Sequence, residues 1–196
     1  SFREVFADSY YMPLVDFLLA SGMRLGEACA IRLCDVKADR IEVLVTVTRT
    51  QNGLERGEDG KTEAATRSIP MNEELKTIIA RQKKVLKVMG LNGDIVSLDS
   101  LLFPGQRGGF LSPNVVDRAI KAACIKAGID PFTSHSCRAT FISRGLSSGI
   151  SPKVLADLVG HDDLSMTLNL YGHSFEQDKQ TAMQKMMDDW SMRKEA

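Results

Sequence analysis

Helix start and stop signals recur along this chain and leave space for little besides helices. The segments 112–128 and 151–160 each begin with Ser-Pro and end with glycine. Proline is favoured in the first turn of a helix, and glycine just past its last turn. Segment 14–22 ends in the same way, because apolar residues at helical spacing run up to Gly22. Each of these three segments is therefore predicted to be a helix.

Three further helices are predicted from similar signals. One covers 24–31, and another covers 72–90, where an asparagine precedes two glutamates and an apolar face follows. A third begins at Thr133 or Ser134, since hydroxyl side chains are favoured at helix starts, and it ends near Gly149.

One region departs from helical periodicity. Residues 41–47 are rich in β-branched side chains and predict a strand, and residues 66–70 predict a strand that returns toward it. The polar stretch 51–60 between them predicts a loop with a minor hairpin. The sequence thus predicts a mainly α protein with a small antiparallel β-sheet, in the α+β class.

Composition narrows the class of protein. The 196 residues fit one domain with a substantial core, and a formal net charge of +0 neither supports nor excludes a nucleic-acid partner. The four cysteines form no Cys-x-x-Cys pair, so we expect reduced, mostly buried thiols, no metal site and no cofactor. Because no apolar run is long enough to span a bilayer and the first residues lack a secretion-signal pattern, we expect a cytoplasmic protein.

Side chains suited to binding an anion lie in the first turns of predicted helices. His135 and Arg138 are three positions apart, so a helix places them on one face, beside backbone N–H groups that a first turn leaves free. Arg24 also lies in a first turn, and two guanidinium groups could donate paired hydrogen bonds to phosphate oxygens. Taken alone, a His-x-x-Arg pair is more often a surface cation beside a packed histidine.

The order of several motifs resembles that of the tyrosine recombinase family, also called the phage integrase family, from about Leu14 to Phe175. The matching motifs are Ser21–Glu27 around Arg24, Lys61-Thr62 ahead of Arg67–Pro70, His135 with Arg138, Leu158–His161, and Tyr171 ten positions later. One such motif is weak evidence, whereas the complete set in order is specific. The resemblance implies the catalytic-core fold of that family.

The resemblance also implies a role for each matching residue. Tyr171 would be the nucleophile that attacks a DNA phosphorus, forms a covalent 3′-phosphotyrosine and releases a 5′-hydroxyl. His135 would handle the tyrosine proton, and Lys61 would be the general acid for the leaving oxygen. Arg24, Arg138 and His161 would bind the phosphate oxygens without a metal ion.

Two of these assignments leave alternatives open. By the resemblance, Glu27 supports the active-site histidine, although a simple helix-surface carboxylate accounts for this residue nearly as well. The cationic role of Lys61 could instead belong to one of four other residues, which are Lys37, Arg49, Arg56 and Arg67.

The resemblance further implies a domain organisation and partners. Residues 1–196 would form one C-terminal catalytic domain, with the family's N-terminal core-binding domain outside this chain. The expected partner is double-stranded DNA, bound by a homotetramer on paired sites, with accessory DNA-bending proteins and no membrane. We expect a site-specific recombinase or integrase of a phage or mobile element, in a bacterial cytoplasm. The alternatives are relaxation of DNA by a type IB topoisomerase and a non-catalytic DNA-binding relative.

The final segment, 175–190, carries methionines and aromatic residues at helical spacing. In the family, a C-terminal helix commonly docks on a neighbouring subunit. Packing of this segment on its own domain accounts for the apolar stripe equally well.

Overall fold

The computed structural model describes most of the chain up to residue 161. The described residues are 1–51, 53–57, 66–88 and 97–161, with the single positions 165, 183, 184 and 187. Lys61, Tyr171 and most of the apolar stripe of segment 175–190 lie outside the described residues. Within the described ranges, no helix has both the length and the apolar character needed to cross a bilayer.

Helices make up most of the described structure. In chain order they are α1 (Phe2–Phe6), α2 (Met12–Ser21), α3 (Leu25–Ala30), α4 (Glu73–Val88), α5 (Pro113–Ala127), α6 (Ser134–Ser147) and α7 (Pro152–Val159). A single 3₁₀ turn, Leu33–Asp35, follows α3. The Ser-Pro starts of α5 and α7 and the glycine ends of α2, α5 and α7 are confirmed. The short helix α1 is additional to the predicted elements.

The strands form two antiparallel pairs. Strands β1 (Arg40–Val43) and β4 (Arg67–Pro70) pair with Val43 opposite Arg67. Strands β2 (Thr46–Thr50) and β3 (Gly53–Gly57) form a separate hairpin. The return of 66–70 to the first strand is therefore confirmed, as is the α+β class. A hairpin is present, but it pairs Thr46–Thr50 with Gly53–Gly57, so the loop predicted for 51–60 is wrong at residues 53–57.

The prediction of one continuous strand over 41–47 is wrong, because the strand is interrupted between Val43, where β1 ends, and Thr46, where β2 begins. Ile41 and Val43 are buried and Leu44 is exposed, so a regular strand would expose residue 46 as well. Instead Thr46 is buried against α3. The break shifts the alternation by one residue and lets β2 meet that helix.

Helix α2 occupies the centre of the core. Leu14, Val15, Phe17 and Leu18 are all at most 2% exposed, so the helix is covered on nearly all sides. It packs against α4 and α6, and the ring of Phe17 lies 5.1 Å from that of Phe103. A helix held this firmly gives a fixed position to the residues that follow its end.

Gly22 ends α2 and also sets its contact with α6. Its φ of 65° lies in the left-handed region that favours glycine. A Cβ atom at Gly22 would come within 2.5 Å of the Phe141 ring on α6. The absence of a side chain therefore brings the end of α2 and the start of α3 close to α6.

Gly26 permits an equally close approach between α3 and β2, and its replacement tests that contact. In Gly26→Ala, the new Cβ would lie 2.5 Å from Oγ1 of Thr46 and 3.1 Å from the carbonyl oxygen of Val47. We expect the free energy of unfolding to fall by about 1–3 kcal/mol in urea denaturation, which is typical of overpacking. In the control Gly57→Ala, no described atom lies within 4 Å of the new Cβ, so little change is expected. Equal losses in both variants would contradict this account.

Candidate active site

Arg24 lies at the start of α3 and is held on two sides. Its backbone N–H donates to Oε2 of Glu27 at 2.8 Å, and its Nη1 donates to Oε1 of the same carboxylate at 2.9 Å. Its Nη2 donates to the carbonyl oxygen of Gly160 at 2.9 Å. The side chain nevertheless stays 39% exposed, so the guanidinium is both anchored and accessible.

Arg138 on α6 is the most buried cation of the site. Its side chain donates through Nη1 to the carbonyl oxygen of Gly22 at 2.9 Å, and the residue is 3% exposed. Among the described residues, its buried Nη2 has no hydrogen-bond partner. Burial, followed by the positive charge of Arg24, lowers the pKa of Arg138 to about 9. The group is still charged at neutral pH and has a donor available for an anion.

His161 follows the end of α7, and its pKa is affected by the positive charges around it. Its backbone N–H donates to the carbonyl oxygen of Ala156 at 2.9 Å. Burial and then the charges of Arg138 and Arg24, with smaller contributions from His135 and Arg67, lower the pKa of His161 to about 4. The imidazole is therefore neutral at pH 7 and can donate a hydrogen bond from one ring nitrogen.

His135 lies in the first turn of α6 and is exposed, whereas Arg138 one turn later is buried. We predicted that the backbone N–H groups of this turn are free to bind an anion, and for two of them this prediction is wrong. Ser134 N–H donates to Oδ1 of Asp117 at 2.8 Å, and Ser136 N–H donates to the carbonyl oxygen of Thr133 at 2.9 Å. A carboxylate from α5 thus takes one place that we expected an anion to fill, because it satisfies an otherwise unpaired donor.

Glu27 is buried and is bound by two arginines. Beside Arg24, Arg67 on β4 donates from Nη1 to Oε1 at 2.9 Å and from Nη2 to Oε2 at 2.8 Å. Burial alone would raise the pKa of Glu27, but the hydrogen bonds and charge of Arg67, followed by those of Arg24, lower it below its ordinary value. The alternative of a helix-surface carboxylate is therefore wrong. Among the described residues, the Glu27 carboxylate accepts hydrogen bonds from Arg24 and Arg67, and its support of the active-site histidine stays a prediction.

Arg67 belongs to this cluster, although the sequence analysis considered it only as an alternative to Lys61 and missed its pairing with Glu27. The strand pattern contains a signal for it, because Arg67 lies two positions before buried Ile69 and so shares its face of β4. A buried arginine requires a carboxylate, and Glu27 is the acidic residue of the first motif.

The described part of the chain thus brings together five of the residues, Arg24, Glu27, His135, Arg138 and His161. Lys61 and Tyr171 lie outside the described residues, so their assignments stay predictions. In the same described part, no group of three or more histidine, cysteine, aspartate or glutamate residues could hold a metal ion. The cationic groups that lie here can bind and polarise an oxyanion.

Comparisons with known proteins identify the family of this chain. The model of the phage integrase family matches residues 6–178. The chain belongs to this family. Membership accounts for the order of the motifs, because the matched region contains every residue that the resemblance singled out.

Several curated tyrosine recombinases are similar to most of this chain. The tyrosine recombinase XerD of Pseudomonas putida is 33% identical over 161 residues, which cover 82% of this chain and 48% of that protein. The tyrosine recombinase XerC of Corynebacterium glutamicum is 26% identical over 160 residues, covering 82% and 45%. The chain therefore spans about half the length of the curated relatives it matches.

Solved structures share the fold. The integrase of transposon Tn1549, in complex with circular intermediate DNA, superposes with a TM-score of 0.79 at 26% identity, covering 94% of this chain and 63% of that one. A lambda integrase dimer bound to a core site superposes with a TM-score of 0.62 at 19% identity, covering 89% and 47%. The second likeness concerns the fold alone.

The low pKa of His161 leads to a test of the site's electrostatics. In an NMR titration, we expect its imidazole to titrate near pH 4, and Arg24→Gln to raise that pKa because a neighbouring positive charge is removed. The control Arg56→Gln removes a charge that is not among the causes of the shift and should leave the pKa unchanged. Since the unfolded histidine takes up its proton near pH 6.5, this group destabilises the fold as the pH falls from 6.5 toward 4. Titration of His161 near pH 6.5 would contradict this description.

Proposed function

We propose that this chain is the catalytic domain of a site-specific DNA recombinase or integrase that cleaves and rejoins DNA through a covalent 3′-phosphotyrosine. The observation that carries the proposal is the buried Nη2 of Arg138, which has no partner among the described residues and lies within the electrostatic reach of Arg24. An unsatisfied buried donor costs about 1–3 kcal/mol, and more when it is charged. A phosphate oxygen would relieve that cost.

The reaction begins with attack by the Tyr171 hydroxyl oxygen on phosphorus. The tyrosine proton passes to His135, the new bond between the phenolic oxygen and phosphorus forms, and the bond from phosphorus to O5′ breaks. Lys61 donates a proton to the departing O5′, which leaves as a hydroxyl group. Rejoining is the reverse sequence with a 5′-hydroxyl as the nucleophile, so the bond energy is conserved.

The arginines and His161 stabilise the transition state in this scheme. The phosphorane carries more negative charge on its non-bridging oxygens than the starting phosphodiester does. Arg138 and Arg24 supply fixed positive charge, and the neutral imidazole of His161 supplies a hydrogen bond without repelling either guanidinium further. Their positions are set by bonds to the protein before DNA arrives, which lowers the reorganisation needed during the reaction.

A cationic concavity beside α6 supports DNA as the partner. Its basic lining residues are Arg49 of β2 and Arg118 and Lys121 of α5, and Asp117 also lines it. It reaches Thr133, two positions before His135. Arg118 and Lys121 are exposed and three positions apart on one helix face. Such a surface can bind successive phosphates of a duplex whose scissile phosphate lies in the site.

The whole protein would have parts beyond this chain. In the proposal, an N-terminal core-binding domain completes the grip on the duplex, and a homotetramer with accessory DNA-bending proteins pairs two sites. The likeness to the Tn1549 integrase favours a mobile element or phage as the source. The enzyme would act in a bacterial cytoplasm.

The nucleophile is tested by trapping the covalent intermediate. The chain is incubated with a pool of randomised duplexes that carry a nick on the 3′ side of each candidate phosphate, so that the released fragment diffuses away. We expect an adduct that survives denaturing electrophoresis, with the nucleotide linked to the peptide that contains Tyr171. Tyr171→Phe should abolish it, because the phenolic oxygen is the attacking atom.

The same assay separates the alternatives. An adduct that persists in Tyr171→Phe would overturn the assignment of the nucleophile. Binding without any adduct in the unmodified protein would favour a non-catalytic DNA-binding relative. Sequencing of the trapped DNA supplies a substrate for a second assay, in which relaxation of supercoils without strand exchange would indicate a type IB topoisomerase.

The cationic concavity is tested by the salt dependence of DNA binding. Arg118→Ala and Lys121→Ala should each reduce the slope of log affinity against log salt by about 1, because each removes one phosphate contact. The control Lys76→Ala removes an exposed lysine that is paired with Glu73 on α4, and it should leave the slope unchanged. An unchanged slope in both α5 variants would place the duplex elsewhere.

A further inference from the structure

We propose that Arg67 is a positioning residue for cleavage: by holding Glu27 and the last turn of α7 together, it fixes where Arg24 presents its guanidinium. This inference rests on the proposed function and extends it to a residue that the proposed reaction does not use. Arg67 contacts other residues of the site and acts through them.

Arg67 binds both Glu27 and the backbone of α7 through its guanidinium. Its two Nη atoms donate to the two carboxylate oxygens of Glu27 at 2.9 and 2.8 Å, and its Nε donates to the carbonyl oxygen of Leu158 at 3.0 Å. The two side chains are only 6% and 3% exposed. A bidentate pair of this kind has one favoured geometry, and burial protects it from competition by water.

Glu27 transmits that geometry to Arg24. Each of its carboxylate oxygens accepts one bond from Arg67 and one from Arg24, through Nη1 at Oε1 and through the backbone N–H at Oε2. The carboxylate plane is therefore fixed by Arg67, and the exposed guanidinium of Arg24 is aimed by that plane. A lysine in place of Arg67 keeps the charge but cannot bind both oxygens in a planar fork.

Arg24 and Arg67 also bind the end of α7. Arg67 binds the carbonyl oxygen of Leu158 and Arg24 binds that of Gly160, directly before His161. Along the chain, Tyr171 follows ten positions after His161, and Lys61 precedes Arg67 by six. In the sequence, Arg67 therefore follows the proposed acid Lys61. It also binds the end of α7, the helix that precedes the proposed nucleophile Tyr171.

Arg56 offers a control, because the proposed reaction assigns the acid role to Lys61 and leaves Arg56 without a part in the chemistry. Its Nε donates to the carbonyl oxygen of Ala30 at 3.1 Å and its Nη2 donates to Asp35 at 3.0 Å, so it too joins a carbonyl to a carboxylate. The pair between Arg56 and Asp35 makes no contact with Arg24 or α7 among the contacts described. The side chain of Arg56 is 20% exposed and that of Arg67 is 6% exposed, so stability is measured beside cleavage. A purely structural role of Arg67 would lower the urea midpoint without slowing cleavage by the folded protein.

The experiment compares Arg67→Lys with Arg56→Lys, using as substrate a DNA of the sequence that the trapping assay identifies. We measure the cleavage rate at saturating DNA, the dissociation constant and the urea midpoint. We expect Arg67→Lys to slow cleavage about 10- to 100-fold, the cost of a displacement near 1 Å in an active site, with a dissociation constant within about 3-fold of the original. Arg56→Lys should stay within about 3-fold in rate. Cleavage by Arg67→Lys at the original rate, or equal slowing in both variants, would overturn the proposal.

A double variant keeps the test decisive if Arg67→Lys folds poorly. Arg67→Gln combined with Glu27→Gln removes both buried charges, which avoids an unpaired ion. We expect its urea midpoint to exceed that of Arg67→Gln alone while its cleavage stays at least about 10-fold slow, since Arg24 has lost its anchor. Recovery of the original cleavage rate would show that Arg67 only stabilises the fold. An unmodified protein that forms no Tyr171-dependent adduct would instead overturn the proposed function, and this inference with it.

Discussion

The buried carboxylate of Glu27 is the interaction on which the rest of the site depends. A carboxylate at 2% exposure is stable only when its oxygens are well paired, and here two arginines satisfy both of them. Because Arg24 belongs to the start of α3 and Arg67 to β4, one ion cluster joins a helix to a sheet. The carbonyl groups of Leu158 and Gly160 extend the cluster to α7. Removing one member would leave a buried charge without its partner, so the three elements hold their positions together.

The arginines of the site share a second feature, since each binds carbonyl oxygens at the end of a helix. Arg138 binds Gly22 after α2, while Arg24 and Arg67 bind residues at the end of α7. Such ends carry partial negative charge, which makes close packing of several cations less costly. The compensation is incomplete, because the pKa of Arg138 and that of His161 are both lowered by burial and by neighbouring positive charge. A site in this state favours an incoming anion, and it favours most the species with the highest negative charge.

Much of the fold was predictable because helix ends obey local rules. Proline marks the start and glycine the end of α5 and of α7. Asn72 caps the start of α4, because its side-chain oxygen accepts a hydrogen bond from the Leu75 N–H at 2.8 Å. The errors fall where a distant segment intervenes. The strand over 41–47 is broken because α3 buries Thr46, and the first turn of α6 is partly occupied because Asp117, 17 positions earlier, caps it.

The sequence by itself determined the limits of most helices, the α+β class and the set of residue types suited to phosphate chemistry. Those properties depend on backbone preferences and on spacing along a few neighbouring residues. Only the tertiary structure decided that Glu27 binds Arg67, 40 positions away, and that Arg138 is buried while His135 is exposed. The physical reason is that an ion pair forms wherever packing brings its partners together. Which of several arginines meets a given carboxylate is therefore settled by how α3, β4 and α7 pack.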